Sequence, residues 1–311
     1  MRSIARKHHY LPQSYLAAFT DTGSSRDGQF FVLDINNGDR FNTSPKNVAV
    51  ERDFNRVDIE DKNLDALEQA LSQFENRAAQ AIRNVNCTKM FPSKEDYNYI
   101  LNLLCLIAVR NPRSRESFNR YREYTWRVIS DLLISDEKIW NYHLERAKET
   151  GYVQETNISY EEAKRFIGGE DYKIEFAPES NHQREFNLHD KLLPILGRRF
   201  WSLLIAPNSG PFFLCSDHPV ALTWKNSDRS GPIGYGLKGT EVFFPLGPCT
   251  GFYGVYEEPL PSTVTLAPAQ VAKMNLHLIQ GAERHVFSIE DHFLFWENGE
   301  VMKINLKKRK E

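Results

Sequence analysis

The stretch PSKEDYNYILNLLCLIAV, residues 92–109, decides how this chain must fold. Ser93 and Asp96 have the spacing of a helix N-terminal capping pair, and the residues that follow are apolar almost all round. A helix that is apolar on every side has to be covered by other elements of the protein. Pro112 disfavours helical geometry at Asn111 and therefore ends the pattern. The sequence thus predicts one central, deeply buried helix.

The front half of the chain surrounds this helix with further helical patterns. Residues 61–84 carry apolar side chains at intervals of three and four, which predicts an amphipathic helix. Additional helices are predicted over roughly 12–19, 113–148 and 159–169. Residues 29–42 predict a β-hairpin, because an Asn-Gly turn separates two strand-like runs.

The back half is mostly strand-like. Short apolar runs follow one another from residue 200 to residue 306, and a single helical pattern at residues 267–282 interrupts them. We therefore predict an α+β protein, with a helical front half packed on a mostly antiparallel β back half. A polar segment at residues 170–184 is predicted to be irregular. It suggests a helical part with the hairpin (1–169) and a mostly β part (170–311), within one integrated domain.

Composition excludes several classes of protein. The chain has 311 residues, and 39 Lys and Arg nearly balance 41 Asp and Glu, so no overall charge attracts nucleic acid. No apolar run approaches the about 20 residues that a membrane span needs. Four scattered cysteines argue against a disulfide framework and fit the cytoplasm. The GxGxxG match at residues 234–239 precedes a strand, which excludes a dinucleotide-binding fingerprint.

A histidine pair stands near the start of the chain, in the stretch RKHHYLPQ at residues 6–13. In an extended segment the side chains of His8 and His9 point to opposite faces. One imidazole can therefore enter a site, as a metal ligand or a general base, while the other packs. The alternative is that both histidines are structural and hold the N-terminus on the core.

Two carboxylates interrupt the apolar face of the helix predicted over 61–84. Glu68 and Glu75 lie two turns apart, on the stripe that includes Leu64 and Leu71. Buried carboxylates need partners, so each is expected to meet Arg, Lys or a metal ion that His8 or His9 also binds. The alternative is a solvated edge of the helix.

Two further polar residues end apolar elements. Arg110 follows the central helix, and its guanidinium can grip a phosphate or carboxylate with two hydrogen bonds. Asp217 follows the strand-like run PFFLCS and could bind a metal ion or orient a histidine. Ser216 and Asp217 could equally cap a turn. The arginines after residue 112 are interpreted as a charged helix surface with Glu116 and Glu123 as partners.

The combination of motifs resembles a widespread bacterial family, the domain of unknown function DUF4238. The similarity covers residues 7–290 and is most specific at the HHxxP and SDxP stretches. The resemblance implies one integrated unit but no reaction. The positions that match the family are His8, His9, Pro12, Asp53, Phe54, Glu68, Glu75, Arg110, Asp217 and Pro219. His218 looks like a variable position.

These residues suggest a hydrolase that cleaves a phosphoester. Asp53, Glu68 and Glu75 would hold a divalent metal ion, Mg²⁺ or Mn²⁺. His8 or His9 would act as base, and Arg110 would neutralise developing charge, with Asp217 in the same cluster. The substrate would be nucleic acid or a nucleotide, in a bacterial defence system. The alternative is a non-enzymatic module for ligand binding or protein interaction, with these groups in a buried polar network.

Overall fold

The computed structural model describes residues 7–55, 66–153, 158–169, 172–226 and 229–307, and the side chains of residues 66–68 lie outside that description. The chain divides into two compact units, Met1–Asn111 with Pro178–Glu311, and Pro112–Ala177. This division does not follow the boundary predicted near residue 170. Strands at residues 30–43 share a sheet with a strand at residues 285–288, so the first unit combines segments from the front and the back of the chain.

The described part of the chain contains eight α-helices. In chain order they are α1 (Gln13–Leu16), α2 (Ala66–Thr88), α3 (Lys94–Val109), α4 (Pro112–Leu133), α5 (Glu137–Glu149), α6 (Tyr160–Gly168), α7 (Pro178–Gly197) and α8 (Pro268–Gly281).

Thirteen β-strands are described. They are β1 (Lys7–His9), β2 (Phe30–Asp34), β3 (Arg40–Thr43), β4 (Val50–Arg52), β5 (Phe200–Ile205), β6 (Cys215–Ser216), β7 (Ala221–Trp224), β8 (Thr240–Gly247), β9 (Thr250–Val255), β10 (Thr263–Thr265), β11 (His285–Ser288), β12 (His292–Glu297) and β13 (Glu300–Asn305).

The central helix of the first unit is α3, as the sequence predicts. The Ser93 side chain accepts a hydrogen bond from the Asp96 amide at 3.1 Å, which caps its N-terminus. Half of its 16 residues are buried. Helices α2 and α7 both pack against α3. Apolar side chains on several sides of α3 are therefore shielded from water.

The strands form an α+β fold with mostly antiparallel pairing. A five-stranded sheet has the order β10-β5-β9-β8-β7, in which only the β10–β5 pair is parallel. A four-stranded antiparallel sheet has the order β3-β2-β11-β6, and it contains the predicted hairpin. Two-stranded pairs β1–β4 and β12–β13 complete the description. The predicted fold class is therefore confirmed.

The N-terminal segment is anchored in the core by the apolar residues around α1. Leu11, Tyr15, Leu16 and Phe19 are all buried. The Tyr15 ring stacks on Phe244 with centroids 5.1 Å apart, and its hydroxyl donates to the Pro245 carbonyl at 2.8 Å. This contact with β8 fixes β1, and so both N-terminal histidines, against the first unit.

Two helical predictions differ from the structure. The helix predicted over 113–148 is two helices, because Asp136 breaks it and accepts a hydrogen bond from the Lys138 amide, as a new N-cap. The segment 170–184, predicted to be irregular, contains the start of α7 at Pro178. The buried residues in that part of α7 include Asn181, His182 and Glu185. Because the buried face of this part of α7 is polar, the sequence shows no apolar periodicity there.

The second unit consists of α4, α5 and α6. Helix α6 begins with a capping box, in which Ser159 and Glu162 exchange hydrogen bonds between side chain and backbone. The Arg122 guanidinium stacks over the Phe176 ring, 3.9 Å from its centroid. None of the helices in the described parts of either unit is long and apolar enough to cross a membrane.

Candidate functional site

The two histidines lie on opposite faces of β1, as the sequence predicts for an extended pair. Strand β1 pairs antiparallel with β4, so that His8 lies opposite Glu51 and His9 opposite Val50. His8 is buried and His9 is half-buried. The alternation of a strand therefore gives two adjacent identical residues different surroundings.

His8 belongs to the interior. The backbone N–H of Asn55 donates to His8 Nδ1 at 2.8 Å. This hydrogen bond makes Nδ1 the acceptor, so the ring proton of the neutral imidazole lies on Nε2. The contact joins β1 to the residues that follow β4.

Arg110 continues the same interior contacts at the end of α3. Its guanidinium donates to the Asn55 side-chain oxygen, and its Cζ lies 5.3 Å from the centroid of the Phe54 ring. Arg110 Nε lies 3.8 Å from a Glu185 carboxylate oxygen, and His182 Nδ1 lies 3.8 Å from that same oxygen. We call the set His8, Asn55, Arg110, His182 and Glu185 the buried network.

The buried network is enclosed. The Arg110 and Glu185 side chains are 3% and 1% exposed. Charged side chains that are buried this deeply are stable only when they are paired with an opposite charge and hydrogen-bonded. A guanidinium held in this way cannot reach a phosphate group in solvent, which favours the structural interpretation of Arg110.

The opposite face of β1 borders a pocket of about 760 Å³, within the size range of small-molecule sites. We call it the His9 pocket. Its described lining is rich in carboxamide and hydroxyl groups and consists of His9, Gln13, Ser14, Ser25, Asn55, Gln69, Leu71, Ser72, Gln73, Glu75 and Asn76. Lys and Arg are absent from this described lining, so its only ionisable groups are one imidazole and one carboxylate.

His9 contributes an imidazole to the described lining of the pocket. Burial lowers the pKa of its imidazole, although a backbone hydrogen bond with Val48 opposes that shift. Its Nδ1 atom is buried and has no hydrogen-bond partner among the described residues. A neutral imidazole with an unused nitrogen can accept a proton or bind a cation.

Asp217 takes part in neither cluster. Its carboxylate accepts hydrogen bonds from the backbone amides of Glu283, Arg284 and His285, at 2.9, 2.8 and 2.8 Å. These bonds close the connection between α8 and β11, which matches the turn-capping alternative. Catalysis by Asp217 stays a prediction that this geometry does not favour.

Of the candidate metal ligands, only Glu75 belongs to the described lining of the pocket. Glu75 lines the His9 pocket beside Leu71, on the side of α2 that the stripe predicts. Asp53 has a left-handed backbone (φ 56°), lies 3.5 Å from the Arg52 guanidinium, and is not part of the described pocket lining. The side chain of Glu68 lies outside the described residues. Within the described ranges, no group of three or more His, Cys, Asp or Glu side chains is placed to hold a metal ion.

The structure therefore divides the single cluster that the sequence suggested. It joins His8 to Arg110 through Asn55, and it places His9 with Glu75 around the pocket. Sequence reasoning missed Asn55, His182 and Glu185. The spacing of three between His182 and Glu185 on one helix was the available signal.

The family model for a protein of unknown function (DUF4238) matches residues 7–292. No curated protein and no solved structure matches the chain. The matched range includes every residue of the buried network and of the described pocket lining. The chain belongs to the DUF4238 family.

Proposed function

We propose that the His9 pocket binds a nucleotide or a related phosphoester and that the protein hydrolyses it with the help of one divalent cation. The observation that carries this proposal is that the imidazole of His9 and the carboxylate of Glu75 line the same polar pocket. The pocket volume suits a single nucleotide rather than a duplex.

The polar lining supports a ligand with many hydrogen-bonding groups. The pocket carries five carboxamides and three hydroxyls, which can donate to and accept from a base and a sugar. A divalent cation would offset the negative charge of a phosphate that lies beside Glu75. Mg²⁺ is commonly held by one or two carboxylates together with phosphate oxygens.

Two residues have defined roles in this proposal. Glu75 would hold Mg²⁺ or Mn²⁺ together with the ligand's phosphate oxygens. His9 would take the proton from the attacking water, because its lowered pKa keeps it neutral near pH 7. The deprotonated water attacks phosphorus, and the leaving oxygen departs with a proton from solvent.

Arg110 is a positioning residue in this scheme. It holds the side chain of Asn55, and Asn55 is part of the pocket lining. His8 fixes the backbone of the same residue. The buried network thus shapes one wall of the pocket, and Asn55 is the member of the network that reaches the lining.

A second candidate function is ligand binding without turnover. The observation that favours it is the enclosure of Arg110, which removes the one guanidinium expected to stabilise charge in the transition state. The same pocket and the same wall would then serve as a recognition site.

The test uses the purified full chain with Mn²⁺ or Mg²⁺, a panel of nucleotides and bis(p-nitrophenyl) phosphate. We expect cation-dependent hydrolysis that His9→Gln and Glu75→Gln abolish. His292→Gln, in the β12–β13 hairpin, is the matched control and should retain activity. Calorimetric binding without turnover supports the second candidate, and the absence of both contradicts the proposal.

We also propose a reducing compartment, the cytoplasm, as the site of action. Cys87, Cys105, Cys215 and Cys249 are all free thiols. Burial raises the pKa of the Cys105 and Cys215 thiols to about 12, so neither forms a reactive thiolate. Dependence of activity on an oxidised disulfide would contradict this assignment.

A further inference from the structure

Helix α4 carries an apolar stripe that the second unit leaves in solvent. Ile134 and Ala163 are the only fully buried hydrophobic residues described in that unit. In contrast, Tyr121, Tyr124, Val128 and Leu132 are 65%, 69%, 39% and 62% exposed. We call these four residues the α4 seam. An exposed apolar row of this kind marks an interaction surface.

The α4 seam has the geometry of a helix–helix contact. Its residues follow one another at intervals of three, four and four, the spacing of a coiled-coil stripe. At 100° of rotation per residue they lie within a sector of about 80°. Helix α4 has 22 residues, a length of about 33 Å, which is enough for three heptads.

Charged residues on one flank of the seam identify the partner. Arg113, Arg120 and Asp131 lie within about 20° of one another around the helix axis. Within the part of the chain that the structure describes, Arg113 and Asp131 have no ion pair, and Arg120 Nε lies only 4.0 Å from Glu116. Arg113 and Arg120 lie near the start of this flank, and Asp131 lies near its end. Arg127, about 20° from Arg120 around the axis, is already paired with Glu123 at 3.0 Å.

An antiparallel copy of α4 complements this flank. When two identical helices pack antiparallel, the same flank of each faces the other, and a basic start meets an acidic end. Arg120 and Asp131 lie at nearly equal distances from Thr125 along the helix. A two-fold axis near Thr125 therefore brings each Arg120 level with the opposite Asp131, and Arg113 toward the acidic Asp136–Glu137 stretch.

We propose that α4 is a self-association surface through which two copies of this chain form an antiparallel, two-fold symmetric dimer. The seam residues of the two helices pack against one another, and the Arg120–Asp131 pairs set the register. The complementarity of the helix to itself is what an isologous interface requires. This inference is independent of the activity of the His9 pocket.

The first test is the oligomeric state of the full chain by sedimentation equilibrium. We expect a concentration-dependent dimer, which the double substitution Tyr124→Glu with Leu132→Glu weakens at least tenfold. Met90→Glu is the matched control, because Met90 is equally exposed but lies in the first unit. A monomer at several hundred micromolar, or a dimer that survives the seam substitutions, overturns the proposal.

The second test exchanges the charges. Arg113→Glu with Arg120→Glu makes both ends of the flank acidic, and Asp131→Lys with Glu137→Lys makes both ends basic. Each variant alone should dissociate, because like charges then meet across the seam. Mixing the two variants should restore a heterodimer, and circular dichroism checks that each is folded. Failure of the mixture to associate while each variant is folded contradicts the antiparallel register.

Discussion

His8 and His9 are neighbours in sequence, yet they belong to two regions with opposite character. The face of β1 with His8 meets a network of buried charges and amides, and the face with His9 meets a polar pocket. The pleat of one strand produces this separation, since successive side chains point in opposite directions. Residue type alone therefore does not identify a site. Whether a histidine in a strand supports the fold or faces a ligand depends on which face of the strand its side chain occupies.

The two regions also differ in the exposure of their charged groups. The buried network pairs the Arg110 guanidinium with Glu185 away from water. In the His9 pocket, Glu75 lies beside carboxamide and hydroxyl side chains and is only half-buried. Substitutions in the network should therefore change the stability of the fold, whereas substitutions in the pocket should change binding.

The largest effect is expected for Arg110→Met. It leaves Glu185 buried without its cation and removes the donor to Asn55, at a cost of about 3–5 kcal/mol in the free energy of unfolding. Urea denaturation measures the change. The double substitution Arg110→Met with Glu185→Leu should recover much of the loss, since no lone charge then stays buried. A single variant within 1 kcal/mol of the native chain would show that the network is not enclosed.

A smaller loss is expected for Asp217→Ala. Three backbone amides lose their charged acceptor, and an unmade bond to a charged group costs about 1.5–3 kcal/mol. Asp217→Asn, which keeps one carbonyl oxygen, should lose less. Mn²⁺ binding by the folded variant should be unchanged. Loss of that binding would indicate that Asp217 belongs to the metal site.

His8→Ala should cost about 1–3 kcal/mol in unfolding free energy, because the buried Asn55 amide loses its acceptor. His9→Ala should cost about 1 kcal/mol or less, because its ring is only half-buried and the substitution removes only the backbone hydrogen bond with Val48. Chemical denaturation of both variants under the same conditions compares them directly. Equal losses would remove the distinction between the two faces of β1.

The smallest effect concerns pH. Burial lowers the pKa of His9 and His285 in the folded chain, so the unfolded chain binds protons more readily. Stability is therefore fully present above the unfolded pKa of about 6.5 and falls as the pH drops below it. We expect the pH dependence of the unfolding free energy between pH 7 and 5 to be shallower in His9→Gln. An unchanged slope would contradict a depressed pKa for His9.

The sequence predicts the helix α3, the antiparallel strands and the short helix after the histidine pair, because each depends on apolar patterns or turn residues that are local. It also predicts the opposite orientation of His8 and His9 from strand geometry alone. It does not predict His182 and Glu185 as partners of Arg110, since the first half of their helix buries polar residues and shows no apolar period. The separation of Asp217 from the histidines depends on tertiary contacts with the turn before β11, which no local pattern encodes.

The most direct measurement is paramagnetic broadening of the nine imidazole signals during a Mn²⁺ titration of the ¹³C-histidine-labelled protein, with a nucleotide present. His8→Gln and His9→Gln variants assign the two signals. We expect that the His9 resonance broadens first, that Glu75→Gln prevents this, and that His8 responds less than His9 because it lies on the opposite face of β1. Broadening of His8 before His9, or of neither, would contradict the division between an enclosed network and a ligand pocket.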